Sequence, residues 1–284
     1  MSAQILSGEA PARSILDAIR PDVASLDPKL VIVQVGNDPA SDSYIRKKLD
    51  SCSSIGMRNE HHQFRDNVTQ SEIFAEIKAL NNDPDVTGYI IQLPLPDHLQ
   101  KVQPQLFREI DPYKDIDGFT AYNIGKMFLS TEFEHLPPAT PAGVIAMLDF
   151  YGLPIRKKHA VVVGHSNIVG KPLALMLLNR GATVTVCHED TVDLAQHTRQ
   201  ADILVTAVGK PGLITADMVK KDVVAIDIGI TQTMSGLRGD IDFETVKDIA
   251  SAITPVPGGV GPMTVASLLK NCVTAKKRQM QKDN

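Results

Sequence analysis

Ala160-Val161-Val162-Val163-Gly164-His165-Ser166-Asn167-Ile168-Val169-Gly170-Lys171-Pro172, running on through Leu173-Ala174-Leu175-Met176-Leu177-Leu178, is the stretch whose reading decides the fold. Four small or β-branched residues in a row suit a strand buried on both faces, and the glycine after them allows a sharp turn into an apolar, Leu-rich helix. Unpaired backbone N–H groups at such a helix start favour a phosphate, so a dinucleotide pyrophosphate is the natural guest. The spacing departs from G-x-G-x-x-G: Ser166 stands at the second glycine, Val169 at the third, and Gly170 comes one place late. Alone, such a turn could equally do no more than close a βα unit. Outward from it, Ala182 to Cys187, Ile203 to Ala207, Val223 to Asp227 and Ala252 to Thr254 read as four further strands separated by helical stretches. The pattern predicts a doubly wound, Rossmann-like parallel sheet.

The chain has 284 residues, 43% hydrophobic and 22% charged, which is enough for two lobes with substantial cores. A formal net charge of −4 argues against an electrostatic grip on nucleic acid. Cys52, Cys187 and Cys272 are odd in number and lack C-x-x-C spacing, so neither a disulfide framework nor a zinc cage is expected. No apolar run approaches the roughly 20 residues of a membrane span, and the N-terminus lacks the blocks of a signal peptide. A soluble, unprocessed, cytoplasmic protein is expected. Lys276-Lys277-Arg278 reads as a solvated helix end that complements the helix dipole.

The first half reads as a second α/β lobe. Glu9 to Leu26 has helical apolar spacing, and Leu30 to Val35 is a short buried-type strand that ends in the turn cluster Gly36-Asn37-Asp38-Pro39. Ser41 or Asp42 would cap the next helix. Within it Ile45, Leu49 and Cys52 would face the core, while Tyr44 and Lys48 form an i, i+4 pair at the edge of that face. A snorkelling lysine beside a half-buried tyrosine is the plain alternative. Thr69-Gln70-Ser71-Glu72 is a capping box opening a helix with Ile73, Ile77 and Leu80 apolar. Val86 to Ile91 is another strand and runs into Gln92-Leu93-Pro94-Leu95-Pro96, so an amide stands at a strand's carboxyl end, where α/β sheets bind ligands.

Asp111-Pro112-Tyr113-Lys114-Asp115-Ile116-Asp117-Gly118-Phe119 is a carboxylate-rich loop, either a solvated turn or a grip for a polar heterocycle. In Pro137-Pro138-Ala139-Thr140-Pro141, Thr140 would cap a helix with Pro141 at its first position. The expected boundary falls here, giving a first domain over 1–138, a dinucleotide domain over 139–261, and a last helix over 262–284 that returns to the first. Thr254 to Thr264 holds three glycines and three prolines, which lets backbone approach a flat ligand closely. His61-His62 lacks a second ligand cluster and reads as structural or exposed, and no metal is expected.

The chain closely resembles the bifunctional methylenetetrahydrofolate dehydrogenase/cyclohydrolase family over nearly its whole length. Five motifs in order carry the likeness: Val35-Gly36 through Lys48, Ile91 through Pro96, Lys114 through Phe119, Gly164 through Pro172, and Pro255 through Thr264. The resemblance implies two α/β lobes with a cleft between them and Lys48 as the catalytic lysine. Tyr44 would stack on the folate, Gln92 would hydrogen-bond Lys48, and Asp117 would anchor the pterin. Pro257, Gly258 and Gly261 would line the folate side. Gly164, His165, Ser166, Ile168, Val169, Gly170, Glu189 and Ile230 would meet the dinucleotide. It also implies tetrahydrofolate one-carbon derivatives as substrates, a homodimer formed through the dinucleotide lobe, and a place in the one-carbon metabolism that feeds purine, histidine and methionine biosynthesis.

The implied chemistry is hydride transfer from 5,10-methylenetetrahydrofolate to a dinucleotide, followed by hydrolysis of the methenyl product to 10-formyltetrahydrofolate. The first step rests on positioning, and the second needs a partly neutral Lys48. NADP is the family expectation, with Arg directly after the first-turn glycine and Ser at the end of the second strand. Here His165 and Glu189 stand there. Glu189 lies 25 residues after Gly164, near where NAD-binding folds keep an acid for the ribose 2′-OH. NAD use, or a weak dehydrogenase beside an intact cyclohydrolase, is therefore open; Asp190 facing the ribose or Lys171 reaching a phosphate are further possibilities. A dinucleotide-binding sensor would not need Tyr44, Lys48, Gln92 and Asp117 together. A hydroxy-acid or amino-acid dehydrogenase would want a charged clamp instead of the Pro-Gly loop.

Overall fold

The computed structural model describes residues 3–234 and 236–282. Its strands, in chain order, are β1 (Gln4–Ile5), β2 (Lys29–Val35), β3 (Arg58–Phe64), β4 (Gly88–Ile91), β5 (His159–Val163), β6 (Thr183–Cys187), β7 (Ile203–Thr206), β8 (Val224–Asp227), β9 (Thr231–Thr233), β10 (Gly236–Arg238) and β11 (Ala252–Ile253). The chain forms two compact units. No helix among the described residues is long and apolar enough to cross a membrane.

The first unit, built mainly from residues 140–264, holds a six-stranded parallel sheet in the order β1-β11-β8-β7-β5-β6. The quoted valine run is β5, paired on both sides by β6 and β7, with Ala160 to Val163 buried. Helix Gly170–Asn179 follows it and buries Leu173, Met176 and Leu177. This is the doubly wound α/β sheet expected, with one strand more. β1 pairs in parallel with β11, Gln4 opposite Ala252, so residues 3–13 group with this unit, although the expected first domain runs over 1–138. Residues 127–131 also group here. Two residues carry no periodicity, so nothing local in the sequence marks β1 as a strand.

The second unit comprises residues 14–126, 132–139 and 265–282. Its sheet, β3-β2-β4, is parallel, and β2 feeds two cores by strict alternation. Leu30 and Ile32 pack on one face against Ile45, Cys52 and, from the C-terminal helix Val260–Lys282, Val265, Leu268, Leu269 and Cys272. Val31, Val33 and Val35 pack on the other against Ile73, Ile77 and Leu80. The helices involved are α1 (Glu9–Leu26), α2 (Pro39–Ile55) and α3 (Gln70–Asn82).

α3 begins with the predicted capping box, Thr69 and Glu72 each accepting the other's backbone N–H. α2 begins earlier than expected. Asp38, not Ser41 or Asp42, is its cap, accepting the Ser41 N–H at 2.8 Å, and Pro39 fills the first helical position, where its missing N–H costs nothing. Likewise helix Ala139–Phe150 already includes Thr140, so that threonine sits in the first turn and is not the cap; its hydroxyl meets that of Thr264 at 3.1 Å.

Candidate active site

β4 ends at Ile91, but the Gln92 backbone N–H still donates to Val33 O at 2.8 Å, fixing the residue at the carboxyl end of the sheet. Its side chain is held as well: Nε2 donates to Leu93 O at 2.6 Å, which turns Oε1 toward α2. There Lys48 Nζ donates to it at 2.9 Å. Lys48 is only 8% exposed, one turn from Ile45 and Cys52 on the packed side of α2. Gln92 is its one hydrogen-bond partner among the described residues, so an ammonium there would lose two water partners without replacement. Burial accordingly pushes the Lys48 amine below its ordinary value, against a raising pull from Asp117. Burial also drives the neighbouring Cys52 thiol up to about 12, so it stays neutral.

In the loop over 111–119, Asp115 and Asp117 have opposite fates. Asp115, 1% exposed, accepts the N–H groups of Gly118, Phe119 and Thr120 and the Asn123 side-chain amide, and is consumed in holding the loop. Asn271 of the C-terminal helix ties the same loop down by donating to Ile116 O at 2.9 Å and Pro137 O at 2.8 Å. Asp117, between these anchors, receives no hydrogen bond from the described residues. Dense packing pushes its carboxyl up to about 6, opposed by attraction to Lys48. An amine short of acceptors and a carboxyl short of donors thus attract each other, a combination suited to a polar ligand that supplies both. Tyr44 lies one turn before Lys48 on α2, half-buried, with burial raising its phenol; the cation beside its ring is Lys47, at 5.6 Å, and it makes no hydrogen bond to Lys48. The sequence marks Asp115 only as one carboxylate of a loop that could be a solvated turn or a grip for a heterocycle, and it does not mark Asn123 or Asn271. The available hint was an asparagine among Leu268, Leu269 and Cys272 on an apolar helix face.

In the sheet-bearing unit, Gly164 has φ +121°, and a Cβ there would stand 2.5 Å from Ala207 O. A Cβ on Gly170 would stand 2.0 Å from Gly164 O, so the second glycine lets the helix close onto the turn. These are the tight-turn and close-packing roles that glycines play in a dinucleotide-binding turn, displaced by one residue. Ser166 Oγ accepts the N–H groups of Val169 at 3.1 Å and Gly170 at 3.4 Å, partly meeting the helix start's orphan donors. The residues therefore fit a dinucleotide.

The Gly164 N–H donates to Cys187 O at 2.8 Å, which brings the turn beside the end of β6. There His165 Nδ1 lies 3.8 Å from Glu189 Oε2, and the His165 and His188 rings stand 4.9 Å apart. Asp190 lies on His188, 3.8 Å away, not on His165. Lys171 Nζ donates to Asn167 Oδ1 at 2.8 Å. Ile230 stands three positions past the end of β8 and directly before β9. Pro257, Gly258 and Gly261 also belong to this unit. Gly258 has φ +100° and its carbonyl accepts the Gly8 N–H at 2.8 Å; a Cβ on Gly261, in the first turn of the C-terminal helix, would meet no heavy atom within 4 Å. Its own unit's packing gives no reason for glycine at 261. The paired histidines are both engaged in the other unit, His61 with Gln34 and His62 with Glu76 and Glu60.

The patterns of the tetrahydrofolate dehydrogenase/cyclohydrolase catalytic domain and of the corresponding NAD(P)-binding domain match residues 6–117 and 138–280. The chain belongs to this family. It is similar to the bifunctional protein FolD of Nitratiruptor, 45% identical over 97% of this chain and 99% of the relative. The same protein of Methanosarcina mazei is 47% identical over 98% of both. Among solved structures, the FolD methylenetetrahydrofolate dehydrogenase/cyclohydrolase of Campylobacter jejuni superposes with a TM-score of 0.93 at 42% identity, covering 98% of this chain and 100% of that one. The Trypanosoma brucei FolD, solved with NADP and an inhibitor, gives a TM-score of 0.93 at 35% identity, covering 99% of each.

Proposed function

We propose that the chain oxidises 5,10-methylenetetrahydrofolate to the methenyl form and hydrolyses that product to 10-formyltetrahydrofolate, with Lys48 as the group that moves the proton in the second step. The observation that carries this reading is the buried Lys48 amine, bound to a single amide oxygen at 2.9 Å and kept below its ordinary basicity by burial. A neutral Nζ can take a proton from the water that attacks the methenyl carbon; the C–N5 bond then breaks and N5 is left protonated as the ring opens. The Gln92 amide, locked by Leu93 O, aims the amine. Asp117 accepts from the amino and ring N–H groups of the pterin, and Tyr44 supplies a ring face on the same helix.

The dehydrogenase step needs little acid–base help, because the product's positive charge is delocalised over two nitrogens, and the protein's part is to orient the methylene bridge and exclude water. A bound dinucleotide supplies the hydride acceptor. Gly164, His165, Ser166, Ile168, Val169, Gly170 and Ile230 would hold it, and Pro257, Gly258 and Gly261 would line the folate site. NADP is the dinucleotide of this reading, as in the Trypanosoma brucei relative. Its preference over NAD is reduced, because a 2′-phosphate would meet the Glu189 carboxylate beside His165 where a guanidinium fork would serve better.

The Lys48 unit is read as the folate-binding catalytic domain and the unit with the six-stranded sheet as the dinucleotide domain. The reading includes a cytoplasmic homodimer joined through the latter, whose sheet ends in the unpaired edge strand β6; sedimentation of the purified chain tests it. A net charge of −4 supports neither a nucleic-acid nor a membrane partner. The deciding experiment follows both reactions by absorbance in wild type and Lys48→Met. Loss of ring opening in a folded variant is expected; unaltered hydrolysis would remove Lys48 from the mechanism.

A further inference from the structure

The sheet-bearing unit buries two carboxylates that no step above uses. Asp227 ends β8 at 3% exposure and Asp240 follows β10 at 0%. Among the described residues no cation meets either. Asp240 Oδ2 accepts the N–H groups of Val208 at 2.7 Å and Gly209 at 3.2 Å, and Oδ1 accepts that of Lys210 at 2.6 Å. Asp227 Oδ1 accepts from Gly229 N, Asp240 N and Thr206 Oγ1, each at 3.0 Å, and Oδ2 accepts from Ile241 N at 2.8 Å. The two side chains thus bind the backbone that leaves β7 and β8 at their carboxyl ends, the edge where parallel α/β sheets take their ligands.

The contact reaches the dinucleotide turn through one peptide. Ala207 donates to Val163 O at 2.8 Å, and its own carbonyl is the atom that a Cβ on Gly164 would strike. That carbonyl shares a peptide plane with the Val208 N–H held by Asp240. Shifting Val208 therefore shifts the surface on which Gly164 closes. On the neighbouring strand, the Asp240 carboxylate fills the space where Gly229 has no side chain, since a Cβ there would stand 2.2 Å from it, and so fixes the backbone that presents Ile230.

We propose that Asp240, supported by Asp227, is a positioning residue for dinucleotide binding, holding the loops after β7 and β8 in the conformation that the Gly164 turn packs against. The inference rests on the dinucleotide reading given above. A fold that needed only closed loops would do better with neutral groups, because two carboxylates this close repel; burial and that repulsion hold Asp227 at about 6. A carboxylate at 240 is distinguished by accepting three backbone N–H groups at once, whereas an asparagine must turn its NH₂ toward one of them.

The test uses the full chain. Asp240→Asn is compared with wild type for NADP and NAD affinity by calorimetry, for amide hydrogen exchange at 208–210, and for methenyl hydrolysis, which needs no dinucleotide. The expected result is a dinucleotide Kd raised about tenfold, about 1.4 kcal/mol, with faster exchange at 208–210 and hydrolysis within about twofold of wild type. Asp240→Glu should not restore affinity, because the longer side chain cannot occupy the same space against Gly229. A folded Asp240→Asn chain with wild-type Kd, or one that loses hydrolysis in parallel with binding, overturns the proposal. Should Asp240→Asn fail to fold, Thr206→Val removes only the hydroxyl donated to Asp227; Kd raised about threefold with hydrolysis intact supports the proposal, and unchanged Kd overturns it. Wild type that binds neither dinucleotide would overturn the functional reading, and this inference with it; wild-type binding unaltered by the substitutions overturns this inference alone.

Discussion

Replacing Gln92 by Glu sets a carboxylate where the amide oxygen now stands, 2.9 Å from Lys48 Nζ. Two unit charges at that distance attract by about 6 kcal/mol at an effective dielectric near 20. At about 1.4 kcal/mol per pH unit, this stabilises the ammonium by about four powers of ten in its neutral fraction. Desolvating the new carboxylate and losing the bond that Gln92 Nε2 donates to Leu93 O take part of this back, so a fall of about two to four powers of ten in methenyl hydrolysis is expected near neutral pH. Hydride transfer moves no proton through Lys48 and should fall by no more than about tenfold. The assay is the decay of methenyl absorbance, beside dinucleotide reduction, across the neutral and alkaline range. Hydrolysis in the variant should recover as pH rises, its profile moved to the alkaline side. A loss of the same size at every pH would mean damage to geometry, and an unshifted profile would show that the Lys48 charge state does not control ring opening.

Asp117→Asn should weaken folate binding by about 1–3 kcal/mol in calorimetry while leaving dinucleotide affinity unchanged. The same substitution should raise thermal stability at neutral pH. With the folded carboxyl at about 6 against an ordinary value near 3.8, the wild-type contribution to stability is complete below about pH 4 and is lost as pH rises to about 6, so the variant's advantage opens over that window. Asn271→Ala removes the bond that holds the Asp117 loop at Ile116 O and a second one to Pro137 O, and should cost about 1–3 kcal/mol of stability with a raised folate KM; an unchanged KM would mean the loop keeps its shape without the C-terminal helix. His165→Arg combined with Glu189→Ser should raise kcat/KM for NADP relative to NAD by about tenfold or more, since a repelling charge becomes a bidentate cation. Strong NADP preference in wild type, untouched by the pair, would show that neither residue reads the 2′ position.

Much of the architecture was legible because each reading rested on a local rule. The β5 run, the glycine after it and the Thr69 capping box each state their conformation within four or five residues. The α2 start was misplaced because the Asp38-Pro39 pair reads as turn punctuation, although the same pair is a cap followed by a first-turn proline. The i, i+4 pattern offered only the Tyr44 and Lys48 pair and the strand end only an amide at Gln92; that Lys48 and Gln92 pair with each other came from the family resemblance, since nothing in their spacing links two residues 44 apart. The roles of Asp115, Asp227 and Asp240 could not be anticipated. Carboxylates that accept only backbone N–H groups leave no partner in the sequence to be matched with, and a carboxylate-rich loop looks the same whether its acids face water or the chain.

β1 has a consequence for the order of events during synthesis. Gln4 and Ile5 leave the ribosome long before the strand that completes their ladder, Ala252 and Ile253, has been made. Until then, β8 also lacks its neighbour on that side, and its exposed N–H and C=O groups are open to pairing with another chain. The vulnerable interval is set by translation of the residues between β8 and β11, and a ribosome paused there would hold an unfinished parallel sheet with a hydrophobic edge.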